Sequence, residues 1–290
     1  MSLRVLLRSF LPGWAYDLGR RLYRYWIWWI VPVVMRSDSV EVLSTTGNEG
    51  EETLVIMPCH NQWKYTKQAI ESFLIMSSGK HMVHLVVVDD CSTDDTAREL
   101  PLLCQTLAHH TLLRYRRNVG CTQAWNDGIS YALEHFEPRF VYVINNDIIL
   151  PCSCFDRLNR HLEMSPGLVS PITNSSGHQP LQDYREYHPE LKVSATQTSV
   201  DAIAACLPEC SLIRVAYANG FFFGLDTETL RNMVWARFGR HRYFFHPRNR
   251  NVGNEDEFQQ RMQLKGYPRY ICTDCFIFHF GNVTLNRQFP

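Results

Sequence analysis

Residues 85–96, Leu-Val-Val-Val-Asp-Asp-Cys-Ser-Thr-Asp-Asp-Thr, constrain this chain more than any other stretch. An apolar run rich in β-branched residues is the pattern of a parallel strand buried on both faces. The run breaks at once into Asp89 and Asp90, and open α/β sheets bind ligands at the C-terminal ends of such strands. Ser92 and Thr93 favour an N-cap, so a helix is expected to start immediately and to fix how the two carboxylates project.

The same alternation continues along the chain. Leu54–Met57 reads as a short strand stopped by Pro58, and 65–76 has helical spacing. Strand 83–88 is followed by a helix over about 93–107, a strand at 112–115, a helix at 120–135, and a strand at 140–144 that ends in Asn145-Asn146-Asp147. Strands and helices joined by short links predict an α/β chain with a mostly parallel central sheet flanked by helices. No Gly-x-Gly-x-x-Gly follows the first strand and no Gly-x-x-x-x-Gly-Lys-Ser/Thr occurs, which argues against a dinucleotide-dependent dehydrogenase and a P-loop enzyme.

The 290 residues carry 29 basic and 29 acidic side chains, so nothing global favours nucleic acid as a partner. Ten cysteines in a chain of this length are too dilute for a disulfide scaffold. Cys272/Cys275 and Cys206/Cys210 are either thiols or a zinc site, and the plainer reading is reduced, mostly buried thiols in a cytoplasmic protein. Residues 1–38 differ: Arg4, Arg8, Arg20, Arg21, Arg24 and Arg36 are interleaved with Trp14, Trp26, Trp28, Trp29 and several tyrosines. The uncharged run from Tyr25 to Met35 is broken by Pro32 and is too short to span a bilayer. An amphipathic helical arm on the cytoplasmic face of an anionic membrane is one reading, and an arm packed on protein is the other. Residues 44–52 are polar and read as a linker. The expected division is an arm and linker at 1–48 and a catalytic domain at 49–290, its body starting near Thr53.

Three positions invite a chemical reading against a plain one. Asp147 closes an apolar strand beside two amides, a setting of hard oxygen ligands suited to Mg²⁺ or Mn²⁺ with a bound diphosphate, or else a turn former. Glu255 and Asp256 open a helical stretch, where acidic groups also simply favour the helix dipole. His279 lies in an apolar strand, as core histidines do.

Taken in order, Pro58-Cys-His60-Asn61, Asp89-Asp90 with the Ser-Thr-Asp-Asp-Thr that follows Cys91, Asn118-Val-Gly120 with Ala124 and Asn126, and Asn145-Asn146-Asp147 resemble the signatures of family 2 glycosyltransferases with the GT-A fold. Downstream, Gly220-Phe-Phe-Phe-Gly224, Gly253-Asn-Glu-Asp256, Arg261, Gly266-Tyr267 and His279-Phe-Gly281 are similar to the rhamnosyltransferase-like branch. The resemblance covers about residues 53–285 and implies a Rossmann-like nucleotide-binding half followed by an acceptor-binding half.

It also implies roles. Pro58, His60 and Asp89 or Asp90 would line the nucleoside pocket, with His60 replacing the usual aromatic residue. Asn118, Gly120, Asn126, Asn145 and Asn146 would add to the nucleotide-sugar site. Asp147 and His279 would serve the metal, Mn²⁺ or Mg²⁺, and Asp256 beside Glu255 would be the general base. The implied reaction moves a sugar with inversion from a nucleoside-diphosphate sugar to a hydroxyl of a glycan or lipid-linked glycan, as part of polysaccharide biosynthesis. The rival readings are a noncatalytic nucleotide-sugar or glycan-binding module, favoured by the missing carboxylates at 145 and 146, and a nucleotidyltransferase, which lacks its Gly-rich basic phosphate loop. The loop Pro171–Gln179 is expected either to recognise sugar or acceptor or to be a solvated turn.

Overall fold

The computed structural model describes residues 40–47, 52–76, 83–209, 211–238, 241–247, 249–251 and 253–281. The expected arm at 1–38 and Cys210 lie outside the described residues. Among these residues no helix is long and apolar enough to cross a membrane.

The first half alternates as its pattern predicts: β1 (Glu41–Thr46), β2 (Thr53–Cys59), α1 (Trp63–Met76), β3 (Val83–Asp89), α2 (Thr96–Cys104), β4 (His110–Arg114), α3 (Cys121–His135) and β5 (Phe140–Ile144). The second half adds β6 (Ile148–Ile149), α4 (Cys154–Met164), β7 (Leu168–Thr173), α5 (Gln197–Cys206), β8 (Leu212–Arg214), β9 (Phe222–Asp226), α6 (Thr227–Asn232), β10 (Ala236–Phe238), β11 (His241–Tyr243), α7 (Asn254–Leu264) and β12 (Arg269–His279). One ten-stranded sheet runs β1-β4-β3-β2-β5-β9-β7-β12-β6, with β8 on β12. Strands β4, β3, β2 and β5 are mutually parallel, β12 is parallel to β7, and β9 lies antiparallel between β5 and β7.

Alternate residues of each central strand face opposite sides, so the sheet has two cores. Leu54, Ile56, Val86 and Val88 pack under Trp125 and Ile129 of α3 and Phe258 and Met262 of α7. Val55, Met57, Leu85 and Val87 pack under Ile70 and Phe73 of α1, Leu100 of α2 and Phe155 and Leu158 of α4. A strand buried on both faces is predominantly apolar, which is why these runs are legible in the sequence.

Two expectations change. The sheet begins at Glu41 rather than near Thr53, and Ser44–Thr46 belong to strand and not to linker. The β1 strand pairs antiparallel with β4, and the Ser44 and Thr46 hydroxyls hold the two ring nitrogens of buried His110 at 3.0 and 2.9 Å. The α2 helix starts at Thr96, later than a cap at Ser92 or Thr93 allows. Ser92 gives its N–H to Asp89 and its hydroxyl accepts from the Asn61 N–H at 2.8 Å, so it serves the loop and not the helix. The described cysteines are free thiols, with Cys59, Cys104, Cys154, Cys272 and Cys275 buried, and among the described residues no group of three or more His, Cys, Asp or Glu converges as a zinc site would.

Candidate active site

Strand direction gathers the site. The parallel strands β2, β3 and β5 deliver His60, Asp89-Asp90 and Asn145–Asp147 to one edge of the sheet, the place where such folds bind ligands. The β9 strand runs the other way, so its entry, Gly220-Phe221, lies at that edge too. The ends of β7 and β12 bring Asn174–Ser176 and His279 to it. Three non-glycine residues with left-handed backbone, Asn61 (φ 58°), Gln62 (φ 64°) and Cys91 (φ 60°), cluster on this rim, and strained backbone concentrates at ligand sites.

At the end of β3, the Asp89 and Asp90 carboxylates are both spent inside the protein. Asp89 is fully buried; its Oδ1 accepts from the Ser92 N–H (2.9 Å) and its Oδ2 from Arg114 Nε (2.7 Å). Asp90 accepts the N–H groups of Val119 (2.6 Å) and Gly120 (2.8 Å), holding the loop before α3 against β3. Burial pushes its carboxyl up in spite of those two bonds. The Asp90 carbonyl meets His60 Nδ1 at 2.8 Å and Asn118 Nδ2 at 3.4 Å, so His60 and Asn118 share one polar rim.

At the centre, Asp147 Oδ1 and His279 Nε2 stand 3.3 Å apart, both side chains 8% exposed. His279 Nδ1 meets the Ser175 carbonyl at 3.2 Å. A carbonyl only accepts, so Nδ1 carries the proton, and in the neutral ring Nε2 is a bare lone pair. That atom is buried without a hydrogen bond. Two acceptors facing each other in a buried cleft suit a cation between them. Cis ligands about 2.1 Å from an octahedral ion lie about 3.0 Å apart, so the spacing fits Mg²⁺ or Mn²⁺ with little movement. The ring is held by the Asn174 side chain, which exchanges bonds of 3.0 and 2.8 Å with the His279 backbone, and by stacking on Phe221 at 4.8 Å.

On the far side, Glu255 and Asp256 lie in the first turn of α7. Glu255 lies against Gly220: a Cβ there would stand 2.8 Å from Glu255 Cδ and 2.9 Å from Oε1. Burial, then the neighbouring Asp256, raises the Glu255 carboxyl above the usual range. Asp256 is exposed, and the nearby Tyr217 hydroxyl is pushed up by burial and by the Glu255 and Asp256 carboxylates. The loop after β7 reaches this group as well, since Gln179 bonds the Tyr217 carbonyl and the Asn219 amide bonds the Ser176 carbonyl at 3.1 Å.

A sequence family described as "Glycosyl transferase family 2" matches residues 54–220. The chain belongs to glycosyltransferase family 2. Among curated relatives, this family 2 chain is 27% identical over 108 residues to the minor teichoic acid biosynthesis protein GgaB of Bacillus subtilis (strain 168), a match over 36% of this chain and 11% of that protein. The crystal structure of S. aureus TarS 1–349 has the same fold with TM-score 0.54 at 16% identity, over 80% of this chain and 61% of that one. The mannosyltransferase PcManGT from Pyrobaculum calidifontis, solved with GDP-Man and Mn²⁺, gives TM-score 0.52 at 17% identity, over 91% and 66%. These likenesses establish the GT-A fold, and the chain spans well under two thirds of GgaB and slightly under two thirds of the TarS fragment.

The family 2 motifs separate on inspection into residues that face the crevice and residues that build it. His60, Asn118, Asp147, His279, Glu255 and Asp256 are the motif residues left at this end of the sheet. The reading of Asp89 and Asn126 as donor-binding side chains is corrected: Asp89 is consumed by Ser92 and Arg114, and fully buried Asn126 binds Phe244 N–H (2.7 Å), Phe245 N–H (2.9 Å) and Phe245 C=O (2.9 Å), tying α3 to the segment after β11. Pro58 is buried within β2, where β5 has already stopped pairing at Ile56 and a missing N–H leaves no gap. Asn146 bonds Thr66 Oγ1 at 2.7 Å, and Asn145 donates its backbone N–H to Phe221 C=O at 2.8 Å. Both place Asp147 rather than extend its carboxylate set. Tyr217 and Arg250 escape the sequence reading because polar residues in loops carry no signal until the loops are folded, whereas Ser175 lies in the loop Pro171–Gln179 that the sequence singles out.

Proposed function

We propose that this chain is a metal-dependent, inverting transferase that moves a sugar from a nucleoside-diphosphate donor to a hydroxyl of a glycan or lipid-linked glycan. The observation that carries the reading is the buried pair Asp147 and His279, whose facing acceptor atoms at 3.3 Å stand at the strand-end crevice. Asp147 and His279 would hold the ion, with the donor diphosphate and water completing its ligands. The ion supplies charge neutralisation at the departing diphosphate.

The remaining steps belong to the chain itself. His60 and Asn118 border the nucleoside, with Asp90 holding the loop between them. Ser175 and Asn174 fix the ring of His279, so that its lone pair points at Asp147. Asp256, exposed at the acceptor side, takes the proton of the attacking hydroxyl, which is a poor nucleophile while it keeps that proton. Tyr217 lies beside Asp256, and Glu255 packs against Gly220. One base and one displacement give inversion at the anomeric carbon. The loop Asn174–Gln179 joins the His279 side to the Tyr217 side and so borders the space left for acceptor.

The test is a panel of nucleotide sugars, UDP-GlcNAc and GDP-mannose among them, incubated with purified protein and Mn²⁺ and read by nucleotide release with and without oligosaccharide acceptors. Donor-dependent release that chelator abolishes is the expected result. Tight nucleotide binding with no release on any donor would favour the binding module, to which Asn145 and Asn146 point.

A further inference from the structure

A donor diphosphate has to be met by positive charge or by backbone amides, and in strand–helix units the amides at the helix N-terminus commonly do this. Here those amides are already taken. Asp90 holds Val119 N–H and Gly120 N–H. Asn251 Oδ1 accepts Cys121 N–H at 3.1 Å and the Arg250 carbonyl accepts Thr122 N–H at 3.0 Å, while the Thr122 hydroxyl donates to the Asn249 carbonyl. Residues 249–251 thus lie as a strap across the start of α3.

The side chain of Arg250 folds back over Gly120, whose φ of 95° and lack of a Cβ make the room; a Cβ would stand 2.9 Å from Arg250 Nε. Nη2 donates to both the carbonyl and Oδ1 of Asn118, at 2.8 Å each. The guanidinium therefore joins the rim that carries His60, yet it remains exposed, and among the described residues Nε and Nη1 make no hydrogen bond. A second guanidinium near this rim, Arg114, is committed to Asp89 and to the Ala97 carbonyl.

We propose that Arg250 is a donor-binding residue that takes the diphosphate of the nucleotide, in place of the helix amides that the strap covers. The inference rests on the nucleotide-donor reading of the crevice. A guanidinium pinned at one nitrogen presents its other N–H groups in a fixed plane, the geometry that suits phosphate oxygens.

Isothermal titration with UDP, GDP and dTDP and their nucleosides, in Mn²⁺, tests it on the full chain. Wild type is expected to bind one diphosphate. Arg250→Gln, which keeps the stem over Gly120 and removes the charge, should weaken that affinity by about ten- to a hundredfold while leaving the matching nucleoside within about twofold, since a charge-assisted bond is what is lost. Arg250→Lys should recover part of the loss, and the thermal midpoints should agree across the variants. Undiminished diphosphate affinity in Arg250→Gln, or an equal loss for nucleoside and diphosphate, overturns the assignment while wild-type binding leaves the donor reading standing. Absence of diphosphate binding by wild type sinks the donor reading and this assignment with it.

Discussion

A divalent ion and a nucleoside diphosphate should bind this chain as one unit, each weakly without the other. The protein offers the ion one carboxylate and one imidazole nitrogen, 3.3 Å apart, and among the described residues no third acidic, His or Cys side chain joins them. Mg²⁺ and Mn²⁺ take six ligands, so the remainder must come from phosphate oxygens and water. Mn²⁺ alone or diphosphate alone should then shift the thermal midpoint by about 1 °C or less. Together, at a hundred times the joint dissociation constant, they stabilise by about 2.7 kcal/mol, which for a domain of this size is roughly 5–10 °C. Asp147→Asn preserves shape and removes the charge; His279→Phe keeps the stack on Phe221 and removes the lone pair. Either change should abolish the excess of the joint shift over the sum of the separate ones. Differential scanning fluorimetry over a grid of both ligands measures it. Additive shifts in wild type, or an unchanged excess in Asp147→Asn, would refute the argument that this pair is half of a metal site.

Asp256→Asn keeps the Tyr217 contact in shape and removes the proton acceptor, so transfer should fall by about a hundred- to ten-thousandfold with diphosphate affinity unchanged; a rate close to wild type would move the role to Glu255. The raised Glu255 carboxyl binds its proton more tightly in the folded chain, so its stabilisation is present below the usual carboxylate range and is lost as pH rises through its raised value. Glu255→Gln should accordingly gain stability relative to wild type on going from pH 4 to 7 in urea titrations, and a pH-independent difference would contradict the burial argument. Gly220→Ala should slow turnover at least tenfold with little effect on nucleotide affinity, because its methyl group would press on the Glu255 carboxyl.

Strands β2, β3 and β5 and helices α1 and α3 are legible in the sequence because burial forces their pattern: a strand between two cores is mostly apolar, with Thr53, His84 and Asp89 confined to the ends of β2 and β3. The β1 strand is not, since Ser44, Thr45 and Thr46 are half turn-formers by composition and become strand only through His110 and Thr111, sixty-odd residues away. The candidate site divides in the same way. Carboxylates at strand ends are visible from position alone, but whether an oxygen faces a ligand depends on which donors reach it first. Asp89 loses both oxygens to Ser92 and Arg114, and Asp90 loses both to the loop before α3. His279 shows the converse, a histidine in an apolar strand whose unbonded nitrogen is apparent only once Ser175 is seen to occupy the other one.

The motif glycines take their meaning from the stretch 249–256, only the last part of which belongs to a motif. Gly120 and Gly220 lie in loops a hundred residues apart, yet the space where each would carry a Cβ is filled from one short stretch of chain, by Arg250 in the first case and Glu255 in the second. The strap at 249–251 is fastened to α3 by three bonds, Asn249 Nδ2 holds the Gly253 carbonyl at 2.8 Å, and Gly253, with φ 75°, turns directly into the first residues of α7. The Arg250 guanidinium and the Glu255 and Asp256 carboxylates are therefore close neighbours along the chain, while Asp147 lies between β5 and β6 and His279 ends β12.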